Sequence, residues 1–359
     1  MGLNIYYYIS GHGFGHISRS STLVQRMVET QFIDKVHVVS SRIQFLEIKS
    51  PKLKFRDVSL DVGVAQKDSL SIDLSQTKLE LQNLEKSKEQ RINEETKYIR
   101  ENKINFILTD SASLPITIAL EAGIPSIFLG NFTWDFIYKN YAKYDSYFSD
   151  LSEKLEVEYC FATEALVLPF SCPMPQFLEK TNVGLVGRRP KVTKRKAREK
   201  FSLNEDLTYI LLSFGAYGLE GKNFETKNLP DTIKLVAYGV PGLSNPDILI
   251  PKVDHYPDLV TAVDFVCTKP GYGILSECFF ANTPILYTDR GDFAEYPYLV
   301  SALKKSFRSI YMNQSQIISC QFKETLASFE CTDFANLNTD FSTEGEQEII
   351  NRLLEYTNE

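Results

Sequence analysis

Apolar residues along the chain fall into two alternating patterns. Short continuous runs rich in Tyr, Val, Ile and Leu read as buried strands, and the longer stretches between them carry apolar residues every three or four positions, as on the inward face of a helix. In the first half this predicts strands at 4–9, 35–40, 106–109 and 126–129, and helices from His16 to about Thr30 and from 115 to 122. Residues 74–101, rich in Leu, Glu, Lys and Gln, read as a long exposed helix. Trp134, Tyr138, Tyr141, Tyr144 and Phe148 stand at helical spacing and predict one helix over 134–148, its stripe read as core, with Trp134 and Asp135 facing a cleft on the acceptor side of a site.

The pattern breaks at residues 169–175, PFSCPMP, where three prolines fall within seven residues, and NVGLVGRRP follows. That is linker chemistry. Beyond it the alternation resumes, with strands at 209–213, 232–237, 247–250, 265–268 and 284–287 and helices at 256–262 and after PGYG through Phe280. A last amphipathic helix from Glu346 to about Tyr356 carries Ile349, Ile350, Leu353 and Leu354 on one stripe, and Thr343 with Glu346 suggests a capping box. Strand–helix alternation on this scale predicts an α/β fold of doubly wound parallel sheets. The predicted divisions are an N-terminal domain at 1–170, a linker at 171–190, a C-terminal domain at 191–340 and a terminal helical segment at 341–359.

Glycines mark where ligands would approach. SGHGFGHISR, residues 10–19, follows the first strand directly, so Gly13 and Gly15 allow close approach at the mouth of a helix whose free N–H groups favour anions. It is not the GxGxxG of dinucleotide binders. It also holds His12 and His16, and histidine is the usual general base near neutral pH. The plainer alternative is that one histidine caps the helix and the other packs. TDSAS, residues 109–113, places Asp110 at a strand end, where it would either hold His16 as a base or cap the next helix. TKPGYGILSE, residues 268–277, repeats the strand–glycine–helix order. Gly271, Tyr272 and Gly273 present amides to a pyrophosphate, Lys269 adds a charge, and Ser276 and Glu277 follow on the helix, with Glu277 in reach of a ribose. Phe214 and Gly215, in FGAYG at 214–218, would line the same crevice. TDRGDFAEYP, residues 288–297, offers Asp292 and Glu295 to sugar hydroxyls, or is simply a solvated loop.

Composition narrows the function. Against 39 Lys and Arg stand 46 Asp and Glu, a net charge of -7, which does not suit nucleic-acid binding. No apolar run approaches a membrane span and the N-terminus lacks a basic signal region, so a cytoplasmic location is expected. The basic run at 191–200 reads as a solvated helix face, with contact at an anionic membrane surface as the sharper alternative. The six cysteines form no CxxC pair and read as reduced thiols, Cys267 and Cys278 in the core. No DxD, HExxH, GxSxG or Walker sequence occurs, so no metal site and no cofactor are expected.

These stretches carry a resemblance. YYYISGHGFGHISR, GNFTWDFIYKNY, LPFSCPMP, LLSFGAYG and TKPGYGILSECFFANTPILYTDRGDFAEYPYL together resemble the glycosyltransferase-like N-terminal half of plant-type L-arabinokinases, from residue 5 to about residue 310. The resemblance does not extend into the sugar-kinase half of those proteins, so it implies no kinase activity. More distantly the pattern is similar to the peptidoglycan GlcNAc transferase, to plant UDP-glycosyltransferases and to the UDP-sugar hydrolase of pseudaminic acid synthesis. The resemblance implies a GT-B fold of two Rossmann-like domains with the last helix crossing back to the first. It implies inverting, metal-independent transfer from a nucleotide-diphosphate sugar, expected to be a UDP-sugar, to an acceptor hydroxyl. His16 would be the base, Asp110 its support, Glu277 the ribose ligand and Glu295 part of the loop that reads the sugar. The sugar-reading loop lacks the glutamine-containing pair of those enzymes, which leaves the sugar and base open. A hydrolase using water as acceptor, and a sugar-nucleotide-binding module without catalysis, are the alternatives.

Overall fold

A computed structural model describes residues 2–66, 72–215, 224–238, 245 and 247–357. The chain opens with β1 (Leu3–Ile9), α1 (Gly15–Glu29), β2 (Ile33–Val39), β3 (Leu53–Arg56) and α2 (Leu74–Glu101). It continues through β4 (Phe106–Asp110), α3 (Leu114–Ala122), β5 (Ser126–Gly130), α4 (Trp134–Lys139), α5 (Tyr147–Tyr159), β6 (Glu164–Val167) and β7 (Lys180–Asn182). After the linker come α6 (Lys194–Lys200), β8 (Thr208–Ser213), β9 (Ile233–Ala237), β10 (Ile248–Leu249), α7 (Tyr256–Ala262), β11 (Phe265–Thr268) and α8 (Tyr272–Ala281). The chain closes with β12 (Ile285–Tyr287), α9 (Tyr296–Ser306), β13 (Ser309–Tyr311), α10 (Gln314–Ile318), α11 (Phe322–Glu330) and α12 (Gly345–Glu355).

The described strands form two sheets, seven-stranded in the order β3-β2-β1-β4-β5-β6-β7 and six-stranded in the order β10-β9-β8-β11-β12-β13. Every pairing between named strands is parallel. A parallel sheet must be covered on both faces, and β1 shows how. Ile5, Tyr7 and Ile9 pack into the cluster that holds α1, while Tyr6 and Tyr8 point into the opposite cluster, with residues of α2 and α3. Each buried tyrosine satisfies its hydroxyl: Tyr6 on Glu95, Tyr7 on Ser20, Tyr8 on Asp61. Burial pushes all three hydroxyls up, so they stay protonated donors.

In each sheet the strand order reverses beside one pair, β1 with β4 and β8 with β11. Loops leaving the carboxyl ends of such a pair diverge and open a crevice, where α/β folds take ligands. Ile349, Ile350 and Leu353 of α12 lie in the core of the first sheet, beside Leu23 and Met27 of α1. The segment 184–187 is strapped to the approach to α12: Leu185 N donates to Ser342 O at 2.7 Å, Gly184 N to Glu348 at 2.7 Å and Gly187 N to Glu346 at 3.2 Å.

Several local expectations are corrected. Residues 134–148 are not one helix: α4 ends at Lys139, a turn follows and α5 begins at Tyr147. The helical spacing was real for the core, since Trp134, Tyr138, Tyr141 and Phe148 pack in one cluster, but Tyr144 is exposed. Helix α12 has no capping box. Glu344 stands at its N-cap without a side-chain bond, and Glu346 turns to the linker amide of Gly187 and to Arg189 instead. Helix α2 is not exposed all round, because Thr77, Leu81, Glu95, Thr96 and Ile99 are buried. The strands β3, β6, β7 and β13 escaped the sequence reading, being short and at or near sheet edges.

Candidate active site

The crevice at β1 and β4 is built from side chains at strand ends. His16 lies in the first turn of α1, and its Nδ1 is 2.9 Å from Asp110 Oδ1 at the end of β4. Both are buried, Asp110 completely. Asp110 does not cap α3, whose N-cap is Ser113. It gathers donors: Arg19 Nη2 at 2.8 Å and Ser111 Oγ at 3.1 Å on Oδ1, and Ser20 Oγ at 3.0 Å on Oδ2. Burial by itself would raise this carboxyl, but Arg19 and His16 outweigh it and hold Asp110 well below the usual carboxylate range. A carboxylate that accepts from Nδ1–H fixes the tautomer, so proton exchange by His16 falls to Nε2. Arg19 is anchored in turn on Asn131, just past β5.

The sequence reading did not weigh Arg19, although its spacing from His16 puts it on the same helix face. It also missed Asp61. In the loop between β3 and α2, Asp61 accepts from Tyr8 OH and Ser10 Oγ, both at 2.5 Å, and from Trp134 Nε1 at 3.0 Å. No local motif marks it.

His12 does not cap α1, where Phe14 is the N-cap residue. Its ring meets Trp134 edge-on at 5.3 Å, and a Cβ added to Gly63 would lie 1.8 Å from its Nδ1. Burial first, then the charges of His16, Arg290, Lys269 and Arg42, push His12 down to about 3. Unfolded histidine titrates near 6.5, so between those values the unfolded chain binds the extra proton and folding weakens as pH falls. The urea midpoint of His12→Gln is expected to fall less steeply from pH 6.5 to 4 than that of the wild type; parallel slopes would refute this assignment. Asp135 does not face the crevice. It is buried, bonds Gln176 Nε2 at 3.0 Å, and is raised to about 6 by burial.

On the second sheet, Gly271 is the N-cap of α8. The two helix mouths meet: a Cβ on Gly273 would lie 3.5 Å from Gly15 Cα. Tyr272 stacks on Phe132 at 6.0 Å, and Phe132 meets His16 at 5.7 Å and Trp134 at 5.2 Å, so one aromatic wall joins both halves. Arg290 Nη1 reaches Pro270 O at 3.0 Å and pairs with Glu295 at 3.0 Å, which sets a cation beside the α8 mouth. Arg290 Nε, Glu295 Oε2 and Thr288 Oγ1 are buried without hydrogen-bond partners. Three such atoms in one loop mark a place for an outside group to bond.

Other predicted donor residues sit differently from expectation. Phe214 is buried in the second core, leaving Gly215, in the left-handed region at φ 74°, to turn the chain. Residues 216–218 of the FGAYG stretch lie outside the described residues. Ser276 turns its hydroxyl onto its own helix, at Tyr272 O (2.9 Å) and Gly273 O (3.0 Å). Glu277 is buried and paired with Arg188, whose Nε lies 2.7 Å from Oε1; burial raises its carboxyl against the pull of that arginine. Asp292 is occupied by Asn140 (3.2 Å), Lys143 (3.0 Å) and Tyr144 (2.9 Å), all from the first half, and so clasps the two halves together.

Among the described residues no group of three or more His, Cys, Asp or Glu is placed to hold a metal ion. None of their helices is long and apolar enough to cross a membrane. Against the first half lies a cleft of about 560 Å³ bordered by His12, Gly13, Arg42, Asp61 and Gly63.

Known structures share this architecture. UGT89C1 of Arabidopsis thaliana, solved with UDP, matches 99% of this chain and 100% of its own, with a TM-score of 0.65 and 14% identity. The calicheamicin glycosyltransferase CalG4 matches 99% of this chain and 98% of its own, with a TM-score of 0.64 and 14% identity. MurG of Acinetobacter baumannii matches 98% and 99%, with a TM-score of 0.60 and 11% identity. The fold is GT-B. In sequence the GT-B chain is 31% identical over 306 residues to the L-arabinokinase of Arabidopsis thaliana, a match over 83% of this chain. The GT-B chain spans 29% of that relative's length. No family model matches it.

Proposed function

We propose that this chain is an inverting, metal-independent glycosyltransferase that moves a sugar from a nucleotide-diphosphate sugar, a UDP-sugar in the first instance, to an acceptor hydroxyl. The observation that carries the reading is the buried His16–Asp110 pair at the mouth of the inter-sheet crevice. His16 Nε2 takes the acceptor proton as the hydroxyl oxygen attacks the anomeric carbon, and the bond from that carbon to the diphosphate oxygen breaks. The departing diphosphate settles at the α8 N-terminus, with Lys269 and Arg290 adding positive charge nearby. The cleft beside His12 favours an acceptor larger than water over simple hydrolysis. UGT89C1 was solved with UDP, and another structural neighbour, UGT2 of Phytolacca americana, with UDP-2-fluoro-glucose, which supports uridine as the first base to try.

The reading is tested by thermal stability with UDP, GDP, dTDP, ADP, CMP and their sugars, on wild type and Glu277→Ala. A ligand at 100 times its dissociation constant stabilises by about 2.7 kcal/mol. One nucleotide is expected to shift the wild type and to shift Glu277→Ala far less, since ribose hydroxyls would share that carboxylate with Arg188. No shift from any nucleotide sinks the reading. Binding without turnover, whatever acceptor is supplied, points to a non-catalytic module.

A further inference from the structure

The cleft against the first half has a lining that identifies what it would hold. It is about 560 Å³, within the roughly 300–1,000 Å³ of small-molecule sites. Its charged groups balance, two guanidiniums (Arg42, Arg91) against two carboxylates (Asp61, Glu80), and Gln66 and Asn83 add amides. Asp61 is held by three neutral donors, and among the described residues no lysine or arginine lies within ion-pair distance of it. Two carboxylate oxygens offer about four acceptor sites, so one remains for a ligand. Gln66 Oε1 is buried with no hydrogen-bond partner. A site that mixes donors and acceptors without net charge suits groups that both donate and accept, which is what hydroxyls do. An anion would need a surplus of cations, and an aromatic acceptor would need apolar walls. The neighbouring apolar pocket, under Leu60, Leu84 and Trp134, holds about 40 Å³, well short of the roughly 150 Å³ that takes a benzene ring.

We infer that this cleft binds a neutral polyhydroxylated molecule, a sugar or cyclitol, as the acceptor, with Asp61 and Gln66 accepting from its hydroxyls and Arg42 and Arg91 donating to them. The acceptor role rests on the transferase reading, but the binding specificity does not. His12 belongs to the same lining, and Trp134 and Phe132 link it ring to ring with His16, so a hydroxyl at the cleft's inner end would lie toward the base.

The test is ligand-observed NMR on the full chain without nucleotide. The probes are D-glucose, L-arabinose and myo-inositol against phenol and a flavonol, on wild type, Gln66→Leu and Asn83→Leu, the latter at an exposed position of α2. The expected result is saturation transfer to one or more of the polyols, weakened about tenfold in at least one variant, the equivalent of about 1.4 kcal/mol. Transfer to the phenol or flavonol alone, polyol binding unchanged in both variants, or no polyol binding at tens of millimolar would each overturn the inference. The nucleotide thermal shift, measured on the same samples, reports on the donor reading separately, so the two can fail independently.

Discussion

Replacing His16 by alanine is expected to lower transfer turnover by about 10²–10⁴-fold, the usual contribution of a positioned general base, while the thermal shift given by the nucleotide stays. The separation follows from geometry. His16 sits on the β1 side of the crevice with Nδ1 committed to Asp110, whereas the proposed nucleotide contacts lie on α8 and the loop after β12. The loss should appear in kcat and in kcat/KM alike, as for an interaction made only in the transition state. Full turnover by His16→Ala would remove the base assignment and turn attention to His12, which stays neutral through the physiological range and borders the cleft.

Asp110→Ala carries the largest expected stability effect. Asp110 and Arg19 are a buried pair, with side-chain exposures of 0% and 6%. Removing one partner leaves the other charge uncompensated, which typically costs about 3–5 kcal/mol. The measurement is the urea midpoint of each variant at constant slope. Asp110→Asn keeps the shape and should cost less in stability, yet it no longer presents a charge to steady His16, so its turnover should fall well below wild type. The acid limb supplies a second signature. The folded carboxyl lies below its unfolded value of about 3.9. It therefore contributes stability that is fully present above that value and lost as pH falls through the folded one. Asp110→Asn should flatten that limb. An Asp110→Ala protein as stable as wild type would show that the pair does not hold the crevice together.

Much of this was legible because strand, glycine loop and helix are local features. Apolar runs and their spacing dictated a parallel α/β fold, since a strand covered on both faces has to be continuously apolar and the helix after it has to show a stripe. Glycines 13, 15, 271 and 273 located both helix mouths, and His16 and Asp110 could be named because Asp110 ends a strand and His16 opens the helix after the first glycine loop. What remained hidden depends on residues far apart in the chain. Asp61 lies 73 positions from Trp134 and 51 from Ser10, so its role exists only once the loop after β3 folds over the glycine turn. Arg188 reaches Glu277 across 89 positions, and Asp292 is claimed by residues from the other half. Hydrophobic pattern and turn chemistry are written residue by residue and so determine which elements form and where a crevice must open. Which polar group meets which inside it is decided by packing, because a buried carboxylate takes whatever donors the closed structure brings within reach.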